Sequence, residues 1–175
     1  MTQQQAKLGM GLFLASESVF FLMLIVAFVI FRDVTLKEAA TTLNFPFAAA
    51  CTACLFMSDL TVWQGVRVAE RKDGSPRVWL AATALLGLLF LSGQGAEYLS
   101  LSHRGVSMSE SLFGTTLFTL TGIHGLHVLI GIALLATMLS TARPAVEIEM
   151  VAAFWVFVGG VWIVIFSVVY LWTFL

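Results

Sequence analysis

Apolar residues in this chain come in long unbroken blocks, not at the spacing of a one-sided helix or a half-buried strand. Crossing a bilayer core takes about twenty mostly apolar residues at 1.5 Å each. Five blocks qualify. They are Leu8–Phe31, broken only by Glu17; Leu43–Val66, holding Asp59; Val78–Leu101, with Glu97 near its end; Leu112–Leu139, uncharged apart from two histidines; and Met150–Leu175, with no charge at all. The pattern predicts an all-α integral membrane bundle of five transmembrane helices, forming a single domain over residues 1–175.

The connections between blocks are short. Arg32-Asp33 and Lys37-Glu38 lead to Asn44-Phe45-Pro46, and Lys72-Asp73-Gly74-Ser75-Pro76 is a strong turn signal. Ser102-His103-Arg104-Gly105 and Ala142-Arg143-Pro144 make the other two. None could hold a separate domain, so function must reside in the membrane or close to it. The first block is too long for a signal-peptide core and is expected to stay in the membrane. Lys7, Arg67, Arg71, Lys72, Arg77 and Arg143 fall on the N-terminal side, against Arg32, Lys37 and Arg104 on the other. Positive residues favour the cytoplasm, which predicts a cytoplasmic N-terminus and a periplasmic C-terminus.

Composition agrees. Of 175 residues, 59% are hydrophobic and 11% charged, whereas soluble domains carry about a quarter charged residues. The mean hydropathy is +0.97. A net charge of −1 gives no reason to expect nucleic acid as a partner. Cys51 and Cys54 share a redox-like spacing, but inside an apolar helix thiols act as small packing residues.

Ionisable groups in a bilayer core are costly and need partners. Counted along the blocks, Glu17 lies about 13 Å above the inner boundary and His124 about 18 Å below the outer one. In a core of about 30 Å these are nearly the same depth. Glu17 is therefore expected to face inward and pair with His124. Asp59 and His127, both roughly 6–8 Å from the inner boundary, form a second expected pair. Glu97 is placed at the outer interface, within reach of water. Such pairs could relay protons or simply tie helices together, and the tie is the simpler reading. His124 and His127 share a helix face at i, i+3, but only His103 could join them, so no metal site is expected. The small residues Ala50, Cys54 and Ser58 on the second helix, and Gly11 and Ala15 on the first, predict close helix approach. Gly122, Gly125 and Gly131 thin the fourth helix, and Gly159-Gly160 the fifth.

Three ordered blocks carry a resemblance. Lys7-Leu8-Gly9-Met10-Gly11-Leu12-Phe13-Leu14-Ala15-Ser16-Glu17 resembles the opening core helix of heme-copper oxidase subunit III, with that family's intramembrane glutamate. Gln94-Gly95-Ala96-Glu97-Tyr98, then Gly114-Thr115-Thr116-Leu117-Phe118 and Thr121-Gly122-Ile123-His124-Gly125-Leu126-His127-Val128, is similar to its glutamine–glutamate–tyrosine segment and histidine motif. Trp155-Val156-Phe157-Val158, Val161-Trp162 and Tyr170-Leu171-Trp172 look like its closing helix. The family usually reads Trp-His-Phe-Val-Asp there, so Val156 and Gly159 replace a histidine and an aspartate.

The resemblance implies the short five-helix bacterial form of a non-catalytic subunit. Such a subunit packs on oxidase subunit I and other oxidase subunits in the bacterial cytoplasmic membrane and holds phospholipid. It also supports proton uptake and lasting turnover during oxygen reduction in aerobic electron transport. Heme and copper are expected in the catalytic partner and no cofactor in this chain. Glu17, Asp59, Gln94, Glu97, His124 and His127 are the structural polar candidates, with no catalytic residue among them. An accessory protein of nitric oxide reductase, or an independent transporter or channel, would be alternative readings.

Overall fold

Each apolar block folds as one long helix, because in a medium without water every backbone N–H and C=O must be paired within its own segment. The computed structural model describes residues 3–31, 44–72, 74–104, 112–140 and 144–171. Its helices are α1 (Gln3–Ile30), α2 (Phe45–Arg71), α3 (Arg77–His103), α4 (Leu112–Ser140) and α5 (Ala145–Phe166). A π-helical turn, Ser167–Leu171, continues α5. All five are long and apolar enough to cross a membrane, and no strand occurs among the described residues. Arg32, Asp33, Lys37, Glu38, Asp73, Gly105, Ala142 and Arg143 of the expected connections, and Trp172 of the closing motif, lie outside the described residues.

Several helix ends lie beyond the apolar blocks, and local turn chemistry marks some of them. Asn44 caps α2, its side chain accepting from the Phe47 N–H at 3.3 Å, with Pro46 in the first turn. α2 continues past Val66 to Arg71, and the Arg67 guanidinium lies 3.3 Å above the Trp63 ring. Lys72, at φ 56°, and Gly74, at φ 133°, then reverse the chain into α3. α5 starts just after Pro144 and five residues ahead of the apolar block. Its first turn holds Glu147, where a carboxylate complements the helix dipole.

Two sets of contacts fix the alternation of helix direction. Lys7 near the start of α1 bonds Glu149 near the start of α5 at 2.6 Å. At the opposite end, Asn44 at the start of α2 and Glu97 late in α3 line one cavity, and Tyr170 beyond α5 bonds Glu97.

α5 is the hub, packed against α1, α2 and α4, while α3 bridges α2 and α4. Between helices in lipid the hydrophobic effect gives little, so close packing and hydrogen bonds must hold the bundle. The indole of Trp155 shows how. It slots between α3 and α4 where both lack a side chain: a Cβ on Gly87 would stand 2.5 Å from its ring, and one on Gly131 2.8 Å. The expected thinning of α4 at Gly131 therefore serves α5. Gly11 and Ala15, by contrast, face outward, and no atom of the chain comes within 4 Å of a Cβ built on Gly11. The Ala50-Cys54-Ser58 stripe is also split, since only Ser58 is buried.

Candidate functional site

Two sets of polar contacts within the bundle involve the motif residues most directly. The first joins α1 to α4. His127 Nδ1 lies 2.9 Å from the Ile123 carbonyl, which can only accept, so Nδ1 carries a proton. Its Nε2 lies 3.0 Å from Glu17 Oε2. One proton therefore sits between carboxylate and imidazole, on either atom, and both residues are only partly exposed.

Glu17 thus pairs with His127 and not with His124 as expected. Measured from the real helix ends, Glu17 is about 21 Å from the start of α1, and His127 about 20 Å from the end of α4. His124 lies one turn deeper, at about 24 Å. It also points elsewhere, into the centre of the bundle. There it is fully buried among the rings of Phe21, Phe90 and Trp162, the last 4.9 Å away between centroids. Neither of its nitrogens has a hydrogen-bond partner among the described residues.

The second set is a ladder of aromatic donors on α5. Trp155 Nε1 donates to Ser58 Oγ at 3.0 Å, and Trp162 Nε1 to Thr52 Oγ1 at 2.9 Å. Each hydroxyl passes its own proton to a carbonyl one turn back on α2. Tyr170 Oη donates to Glu97 Oε2 at 2.8 Å. Trp155 and Trp162 are seven residues apart and share a face. Tyr170 is eight further on, and the wider π turn returns it to that face. Sequence reasoning missed this ladder. Its signal was present in the Trp-to-Trp spacing and in the hydroxyls of α2, but periodicity alone does not say which helices touch.

Glu97 is 7% exposed, so it offers little open surface where contact with water was expected. The start of α2 and the π turn cover it. Beside it, a cavity of about 200 Å³ is lined by Asn44, Phe47, Ala96, Glu97, Ser100 and Leu101. Gln94 is buried one turn earlier on the same helix. The neighbouring Tyr98 Oη donates to Thr121 Oγ1 at 2.6 Å, tying α3 to α4, because Thr121 spends its own proton on the Leu117 carbonyl.

Asp59 does not pair with His127, whose nitrogens are both engaged. It faces Gly159 of α5, and its Oδ1 has no hydrogen-bond partner among the described residues. Among those residues, no three His, Cys, Asp or Glu side chains gather to hold a metal ion. The geometry thus builds ties between helices. Among the described residues, His124 and Asp59 Oδ1 join no hydrogen-bonded chain.

The motif blocks of the sequence accordingly meet in space. Glu17 of the first touches His127 of the second, and Glu97 of the second touches Tyr170 of the third. The family model for cytochrome c oxidase subunit III matches residues 1–174. The chain belongs to that family. It is 36% identical over 173 residues to a probable cytochrome c oxidase subunit 3 of Nocardia farcinica, covering 93% of this chain and 85% of that protein. To the cytochrome c oxidase subunit 3 of Bacillus subtilis it is 32% identical over 175 residues, covering 94% and 84%. To that of Synechocystis it is 32% identical over 175 residues, covering 93% and 74%. These matches support the oxidase reading and not the nitric oxide reductase alternative. As a subunit III the chain is part of an oxidoreductase complex and a multi-pass membrane protein.

Proposed function

We propose that this chain is the non-catalytic third subunit of a terminal heme-copper oxidase in a bacterial cytoplasmic membrane. It packs against subunit I with its N-terminus in the cytoplasm. Its task is to support proton uptake and lasting turnover while subunit I reduces oxygen. The observation that carries the reading is the Glu17–His127 bond, which unites two family motifs 110 residues apart in sequence. In this reading heme and copper belong to the catalytic partner. Phospholipid is the expected small partner. An apolar groove of about 340 Å³ between α1 and α5, lined by Phe21, Leu22, Ile25, Phe157 and Val161, suits an acyl chain.

A tagged copy of the chain, extracted in mild detergent from its native membrane, tests the proposal. The expected result is co-purification with a heme-bearing subunit I that consumes oxygen. An oxidase stripped of this chain should start at a similar rate and lose activity sooner. Recovery of the chain without any heme protein would overturn the reading.

A further inference from the structure

The tie between Tyr170 and Glu97 uses only half of the carboxyl. Oε2 accepts the Tyr170 proton at 2.8 Å, while Oε1 is buried and has no hydrogen-bond partner among the described residues. Among those residues Glu97 forms no ion pair either. An acid set in a bilayer is costly, and a buried acceptor left unbonded adds its full desolvation penalty. Glu97 also forms part of the wall of a cavity. A group entering there with a hydrogen to donate would offset that penalty.

The cavity, of about 200 Å³, lies between the start of α2 and the last turns of α3, at the end of the bundle opposite the Lys7–Glu149 bridge. Glu97 precedes the last residue of α3, His103, by six positions, about 9 Å along the axis. That depth is within reach of a headgroup or of a solute from the aqueous side. Around the carboxyl stand Asn44, Phe47 and Ser100, and no Lys, Arg or His lines the cavity among the described residues. The wall therefore offers acceptors and an aromatic ring without a cation of its own. A water takes about 30 Å³, so the space admits a larger group. An ammonium with N–H hydrogens fits this lining, through a charge-assisted bond to Oε1 and attraction to an aromatic face. A quaternary ammonium has no hydrogen for Oε1. A hard metal ion wants more oxygen ligands than one carboxyl and its neighbours supply.

We propose that this cavity receives a primary ammonium group, borne by a lipid headgroup or by a free amine, with the Glu97 carboxyl as its acceptor. Glu97 then has two tasks: one oxygen ties α3 to the π turn, and the other binds the ligand.

Native mass spectrometry tests this on the full-length chain, extracted from its membrane in mild detergent and washed free of loosely held lipid. The probes are phosphatidylethanolamine, phosphatidylcholine with the same acyl chains, and free ethanolamine as a competitor. The unaltered chain should bind phosphatidylethanolamine about tenfold or more tighter than phosphatidylcholine, as one charge-assisted hydrogen bond allows. Glu97→Gln keeps an oxygen for Tyr170 but loses the charge, and should erase that preference while phosphatidylcholine binding stays unchanged. Ala96→Leu narrows the cavity without touching the carboxyl, and should erase it too. Free ethanolamine that binds as tightly as the lipid would assign the ammonium to a free amine, and much weaker competition would assign it to the headgroup. The proposal is overturned if neither phosphatidylethanolamine nor free ethanolamine binds better than phosphatidylcholine. It is also overturned if the preference survives either variant.

Discussion

α1 and α5 are equally apolar, with mean hydropathies of 2.5 and 2.4 over their most hydrophobic windows, yet the bundle uses them in opposite ways. Only 11% of that window is buried in α1, against 44% in α5. α1 turns Leu8, Leu12, Met23 and Ile30 outward, and within the membrane a Glu–His bond ties it to α4. α5 buries Trp155, Trp162 and Tyr170 and hands each of their polar hydrogens to an acceptor on α2 or α3. In water such apolar helices would both be driven inside. In lipid, exposure of an apolar side chain costs little, so hydropathy says that a helix is in the membrane and not where in the protein it sits. Shape and hydrogen bonds decide the rest.

The contrast can be broken first at its strongest point. Trp155→Ala empties the slot between Gly87 and Gly131 and takes the donor from Ser58. It should cost about 3–5 kcal/mol in reversible unfolding from detergent micelles. A loss no larger than that of an outward residue of α1 would show that α5 is not the hub. Next, Gly131→Ala pushes a methyl against the same indole and should cost about 1–3 kcal/mol. Proteolysis should report it as loosening of both α4 and α5.

At the attachment of α1, Glu17→Leu leaves His127 Nε2 without its partner and should cost about 1–3 kcal/mol. Glu17→Gln keeps a polar group in reach and should cost less. Combined with His127→Leu, Glu17→Leu should cost less than the sum of the two, because the second change removes the group the first left unpaired. Amide hydrogen exchange should place the loosening in α1 and spare α5. At the small end, Leu12→Ala on the outward face should change stability by less than about 0.5 kcal/mol in the isolated chain. A larger loss there would mean that another part of the chain covers this face.

Much of this was readable from residues alone, but unevenly. Asn44, Pro46 and the Lys72–Pro76 turn marked helix boundaries that the structure keeps, because caps are local chemistry. Counting residues brought Glu17 to within one turn of its partner, and no closer. His124 and His127 differ by three residues, or about 4.5 Å along the axis, and by their direction around it. Small shifts in helix ends exceed that margin. The burial of Glu97 was not legible because its cover, the start of α2 and the π turn, comes from elsewhere in the chain. The π turn itself leaves no mark in an unbroken apolar run.

The order of apolar blocks by itself determined that five helices cross a membrane, since backbone groups in lipid have no other way to be paired. It also determined the family, through motifs whose spacing survives without any knowledge of contacts. Tertiary structure alone decided that α5 is central, that His127 and not His124 is the partner of Glu17, and that Asp59 fills the gap at Gly159. These depend on how each helix is rotated and shifted against its neighbours. Lipid and protein interior are almost equally apolar, so the one-dimensional pattern carries little record of that rotation.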